Sequence, residues 1–129
     1  MLVVALAARD GEGRLLMQQR PEGKHHAGLW EFPGGKVEAY ENPREALIRE
    51  IREELAIPFD PVDMQPEGFA EGKASDGKTP IVLLLYTTTH FDGEICAQEG
   101  QAWGWFTPAE AARLPLAPMD AQLLAGLSG

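Results

Sequence analysis

GGKVEAYENPREALIREIREELAI, residues 34–57, opens on a glycine pair and closes in a helix crowded with acid. Spacings of three and four residues put the carboxylates of Glu50, Glu53 and Glu54 on one helix face, a turn apart. Like charges stacked this way repel. Taken alone, such a face is ordinarily solvated surface. The glycines offer a second reading. Gly34 and Gly35 follow Pro33 and read as a turn, where glycine takes positive φ and lets other atoms approach closely. A backbone carbonyl from this turn can then join the carboxylates around one cation. Hard oxygen donors of this kind suit Mg²⁺ or Mn²⁺ rather than zinc.

Working outward, the helix start is well marked. Asn42 can cap, Pro43 suits the first helical position, and Glu45 stands where a capping-box partner belongs. Ala46, Leu47, Ile51 and Leu55 form an apolar stripe, and the glutamates lie off it. Arg49 can pair with Glu53 at i,i+4. The helix stops at Ala56, before Ile57 and Pro58. If Ala56 takes a left-handed cap conformation, it costs about 1 kcal/mol against glycine.

This stretch resembles the Nudix box: Gly, five residues, Glu, seven residues, then Arg-Glu-apolar-any-Glu-Glu-any-Gly-apolar. Gly35, Glu41, Arg49, Glu50, Ile51, Glu53, Glu54 and Ile57 fall in register, and only Ala56 departs, standing where the family has glycine. The resemblance implies an α+β domain with the Nudix fold, a mixed β-sheet sandwiched between helices (α/β/α), spanning residues 1–129 with its box at 35–57. It implies that Glu50, Glu53, Glu54 and Glu99 are the metal-binding and catalytic carboxylates, joined by the carbonyl of Gly34. Mg²⁺ is the expected ion, with Mn²⁺ as a substitute. Glu50 and Glu99 are alternative acceptors for the proton of the attacking water. Gly35, Glu41 and Arg49 are implied to be structural, the last two bracing loop against helix.

The rest of the chain bounds the reading. Its 129 residues suffice for one domain with a real core, and 44% apolar content is ordinary. No apolar run approaches the roughly 20 residues of a membrane span. The opening residues, apolar but without a basic leader, read as a strand over 2–8 rather than a signal peptide. Cys96 is the single cysteine, so no internal disulfide forms, and a reducing cytoplasm is expected. A net charge of −9 argues against a nucleic acid polymer as partner but not against a small polyphosphate, because a divalent ion reverses the local sign.

Asp10–Gly13 reads as a hairpin turn, with residues 14–20 as the strand paired to the first. Residues 21–28 form a polar loop whose His25 and His26 are read as solvated. LWEFP, 29–33, reads as a short strand with Trp30 and Phe32 on one face. Residues 61–71 suggest an irregular strand and 72–80 a hairpin tip. IVLLLYTTTHF, 81–91, reads as the central strand, turned at Asp92-Gly93. A strand follows over 102–106. Thr107 and Glu110 mark a second helix start, and a last helix is expected near 119–127.

Two further runs, GLWEFPGGKVE at 28–38 and LPLAPMD at 114–120, resemble the MutT-like subgroup. Those enzymes cleave nucleoside triphosphates, oxidised dGTP among them, to monophosphate and pyrophosphate, which sanitises the nucleotide pool. By this likeness Arg20 reaches the phosphates and Lys36 is a weaker candidate. Phe32 and Met119 are candidate walls for the base, and Glu31, Pro118 and Asp120 are placed with them at the substrate. MutT carries a base-reading Asn where this chain has Pro118. That puts 8-oxo-dGTP in question and leaves pyrimidine triphosphates open. Asp120 is an alternative reader. The expected partner is a nucleoside triphosphate, with no membrane and no polymer, bound by a monomer or weak homodimer. Two rival classes are a nucleotide-binding module without turnover and a Nudix enzyme for ADP-ribose or dinucleoside polyphosphates. Such modules lose box glutamates that this chain keeps.

Overall fold

Along the first strand Val4, Leu6 and Ala8 alternate with Ala5 and Ala7, so both faces are apolar and both must be covered. In the computed structural model, which describes residues 1–23, 27–58, 63–74, 76–91 and 93–127, this strand, β1 (Leu2–Ala8), is interior. It pairs antiparallel with β4 (Gly34–Lys36) and parallel with β6 (Pro80–Thr88), in register from Leu2 opposite Val82 to Ala8 opposite Thr88. β5 (Gln65–Lys73) completes a mixed sheet ordered β4-β1-β6-β5.

A second sheet holds β3 (Trp30–Glu31), β2 (Leu15–Gln19) and β7 (Trp103–Phe106), in that order and antiparallel. The expected hairpin of the first two strands is therefore corrected. The turn at Asp10–Gly13 forms, but only Arg9 and Leu15 bridge across it, and β2 takes its ladder from β7 and β3. The glycine pair is also corrected, being strand rather than turn. Residues 29–33 contribute only two residues of strand. β5 runs on to Lys73 through an irregularity between Pro66 and Gly68, so the hairpin tip is shorter than expected. β6 is central, as expected, but ends at Thr88.

The sheets lie between helices. α1 (Pro43–Leu55) carries the full capping box: Asn42 accepts from the Glu45 N–H and Glu45 from the Asn42 N–H, both at 2.9 Å. Its buried residues are Ala46, Leu47, Ile51 and Leu55, the predicted stripe, packed on Val4, Leu6, Ala8 and Leu16. Each of the three larger side chains contributes roughly 1.5–3 kcal/mol by burial. On the opposite face α2 (Pro108–Ala112) and α3 (Pro118–Gly126) cover Ala5, Ala7, Leu15 and Met17 with Ala111, Leu123 and Leu124. α2 begins with the predicted Thr107–Glu110 capping box. α1 ends at Ala56 with φ 58° and ψ 31°, the left-handed cap. His25, His26, residues 61–62 and Asp92 lie outside the described residues. Among the described residues no helix is long and apolar enough to cross a membrane.

Candidate active site

Strand β4 lies under the acidic face of α1, and its glycines make that approach possible. A Cβ on Gly34 would run into the Val4 carbonyl oxygen, and one on Gly35 would stand 2.5 and 2.7 Å from the carboxylate oxygens of Glu50. The pair is needed for proximity. The Gly34 N–H donates to Glu54 Oε1 at 3.0 Å, and Gln18 Nε2 donates to Glu54 Oε2 at 2.8 Å.

Arg49 crosses the same face. It donates to both oxygens of Glu41 at 2.7 and 2.8 Å, to the Lys36 carbonyl at 3.0 Å, to Glu50 at 2.9 Å and to Glu53 at 3.2 Å. Hydrogen bonding to Glu41 raises the guanidinium pKa further and holds the Glu41 carboxyl below its ordinary value. One cation thus tempers three acids, and Glu54 is beyond its reach among these bonds. Burial pushes the Glu54 carboxyl up to about 8, helped by the charges of Glu31 and Glu50 and opposed by the Gln18 bond. Glu50 is raised too, first by burial, with Glu53 and Glu99 adding to it. Glu31 is raised by burial and by Glu99, against the pull of Arg20 and of a bond from Gln18.

These couplings place Glu31, Glu50, Glu53, Glu54 and Glu99 within one field. Among the described residues no three acidic, histidine or cysteine side chains already converge as a metal cage. The donor set nonetheless fits a hard divalent cation: it is all oxygen, and it carries more negative charge than Arg49 offsets.

Beside this face opens a cleft of about 410 Å³, which Gly34 and Gly35 border. All seven residues expected at the substrate line it. Arg20, at the end of β2, pairs with Glu31 at 2.8 Å. Phe32 is buried, and its N–H donates to Asp120 Oδ1 at 3.0 Å. Lys36 lies on β4, while Pro118, Met119 and Asp120 form the first turn of α3. Burial pushes the Asp120 carboxyl up to about 7. The Met119 sulfur lies 2.9 Å from where a Cβ on Gly72 would be, so Gly72 leaves room for that wall.

Sequence reasoning missed Gln18 and Gln101, both buried and both bonded around Glu54. A signal existed for the first: Gln18 shares a strand face with Leu16, where the alternation calls for an apolar residue. It also missed Glu71, Gly72 and Lys73, which line the cleft from β5.

A NUDIX domain family profile matches residues 1–127, and the chain belongs to that family. It is a Nudix hydrolase of the MutT-like type, an enzyme of nucleotide derivatives, in a family whose members generally depend on divalent metal. It is similar to the CTP pyrophosphohydrolase of Escherichia coli, with 41% identity over 96% of this chain and 89% of that protein. The 8-oxo-dGTP diphosphatase of Haemophilus influenzae is 33% identical over 95% of this chain and 87% of its own. Among solved structures, the Escherichia coli ORF135 protein superposes with a TM-score of 0.79 at 38% identity, over 97% of this chain and 87% of that one.

Proposed function

We propose that this enzyme hydrolyses nucleoside triphosphates to nucleoside monophosphate and pyrophosphate in a reaction dependent on Mg²⁺, with Mn²⁺ as substitute. The observation that carries the reading is the junction of an over-acidic helix face with a nucleotide-sized cleft through Gly34 and Gly35. Glu50, Glu53, Glu54, Glu99 and the Gly34 carbonyl are the groups that would hold the ion. When bound, it supplies charge neutralisation between water and an anionic polyphosphate. Arg20 and Lys36 face the phosphates, and Phe32 and Met119 flank the base. Hydrolysis breaks the bond joining the α- and β-phosphates and forms one from the water oxygen to phosphorus. Glu50 or Glu99 takes the water proton, and pyrophosphate leaves.

Two bases are favoured by separate observations. Pro118 offers neither side-chain donor nor backbone N–H, and the 41% relative is named for CTP; both support a pyrimidine. A buried Asp120, with a pKa near neutrality, supports an oxidised purine, because a protonated carboxyl both donates and accepts. Clearing oxidised dGTP would place the enzyme in nucleotide-pool sanitation in the cytoplasm. The test is a panel of CTP, dCTP, dGTP, 8-oxo-dGTP, ADP-ribose and a dinucleoside polyphosphate with Mg²⁺, scored by nucleoside monophosphate formation with pyrophosphate measured beside it. Pyrophosphate from a triphosphate supports the reading. Turnover of ADP-ribose or the dinucleoside alone, or no turnover at all, overturns it.

A further inference from the structure

Gln101 stands between the loop that carries Glu99 and the helix that carries Glu54. Its side chain is buried, 5% exposed, and fully bonded. Oε1 accepts the Glu99 N–H at 2.9 Å. Nε2 donates to the Glu54 backbone carbonyl at 3.0 Å and to Gln18 Oε1 at 3.3 Å. Gln18, 3% exposed, then turns its own Nε2 to the Glu54 carboxylate at 2.8 Å. The order of these bonds matters. With Gln18 Oε1 taken by the Gln101 amide N–H, the Gln18 amide N–H must face Glu54. Reversed, Gln18 would aim an oxygen at a carboxylate.

The surrounding backbone follows the same plan. Carbonyls in the last turn of a helix lack partners within it. Here the Gln98 N–H donates to the Glu54 carbonyl at 2.9 Å and the Cys96 N–H to the Leu55 carbonyl at 3.0 Å. The 96–101 loop therefore caps α1, and Gln101 is its buried end.

We propose that Gln101, acting through Gln18, is a positioning residue that sets the Glu54 carboxylate and the Glu99 loop in one fixed relation. A buried amide is retained at such a place only if its bonds are made, and a half-made network costs more than an apolar one. The proposal rests on the assignment of Glu54 and Glu99 to the reaction made above.

The test uses Gln101→Met and Gln18→Met, apolar replacements of similar length, and their double variant. Mn²⁺ affinity is read from the ESR signal of the free ion, and kcat and KM from pyrophosphate release with the best triphosphate. Partners that orient ligating groups typically matter by about 10- to 100-fold in metal affinity or activity. Losses in that range are expected in kcat and Mn²⁺ affinity for either single variant, with KM within about twofold. The double variant is expected to be no worse than either single one, because the two amides act as one chain. In a Glu99→Gln background Gln101→Met is still expected to lower Mn²⁺ affinity, because its path to Glu54 through Gln18 is intact. Unchanged Mn²⁺ affinity and kcat, or losses that add across Gln18 and Gln101, would overturn the proposal. If Gln101→Met does not fold, Gln18→Met with Glu99→Gln decides it by the same readings. Absence of pyrophosphate from every triphosphate with the wild type would sink the proposed function instead, and the Mn²⁺ titrations would still decide the role of Gln101.

Discussion

The backbone N–H of Gly34 donates to the Glu54 carboxyl at 3.0 Å, so a strand and the last turn of a helix are joined at an ionisable group. That carboxyl binds a proton more readily in the folded chain than in the unfolded one. Its contribution to stability is therefore complete below its ordinary value of 4.5 and is lost as pH rises through about 8. Metal-free protein should lose stability across that window, the Glu54 share approaching about 1.4 kcal/mol per pH unit at most. Glu54→Gln should flatten the slope and remove most turnover. Added Mg²⁺ should raise the wild-type melting temperature and barely move that of the variant. Thermal melts from pH 5 to 9, with EDTA or Mg²⁺, provide the check; wild-type turnover in excess EDTA would contradict it.

Ala56 sits at φ 58° with its side chain exposed, so nothing packs there to lose. Ala56→Gly should stabilise the fold by roughly 0.5–1 kcal/mol. The measurement is the denaturant midpoint at constant slope, and an unchanged midpoint would count against the strain.

The two glycines of β4 should respond differently to alanine. At Gly34 the new methyl meets the Val4 carbonyl and Ala5 Cα, which are backbone and cannot swing away. A loss of about 3 kcal/mol is expected. At Gly35 it meets the mobile end of Glu50. Stability should fall by only about 1 kcal/mol, while kcat collapses because Glu50 is displaced. Equal melting temperatures for the two variants would refute this.

Asp120, raised from 3.8 to about 7 by burial, changes from donor to acceptor near neutrality. The preference for 8-oxo-dGTP over dGTP should therefore drift between pH 6 and 8 in the wild type and stay level in Asp120→Asn. Pro118 cannot supply paired hydrogen bonds, so that preference should stay under about a thousandfold, on the order of 4 kcal/mol. Values of kcat/KM for both nucleotides across that pH range, with dCTP and CTP beside them, settle the matter. A larger preference would sink the pyrimidine argument.

What was legible in the chain was what is encoded locally. Asn42, Pro43 and Glu45 announce α1 within four residues, and Ala46, Leu47, Ile51 and Leu55 name its buried face by spacing alone. The left-handed turn at Ala56 followed from the box pattern. The misread elements depend on partners far along the chain. β2 leaves β1 because β7, almost ninety residues on, offers Leu15 and Leu16 a longer ladder. Gly34 and Gly35 look like a turn until Val4 and Glu50 are seen pressed against them. Gln18 and Gln101 meet across 83 positions, and no window of sequence contains both.

The placement of β1 also governs when the chain can fold. It is enclosed by β4 on one edge and by β6 on the other, and its parallel register with β6 joins Leu2 to Val82. Closing so long a loop precedes any reward from the contact, which slows folding of non-local sheets. On the ribosome β1 must wait for some eighty further residues before its second neighbour exists. Until then the backbone groups of that edge are unpaired, and the nascent chain is most open to misassembly in the interval between the synthesis of α1 and that of β6.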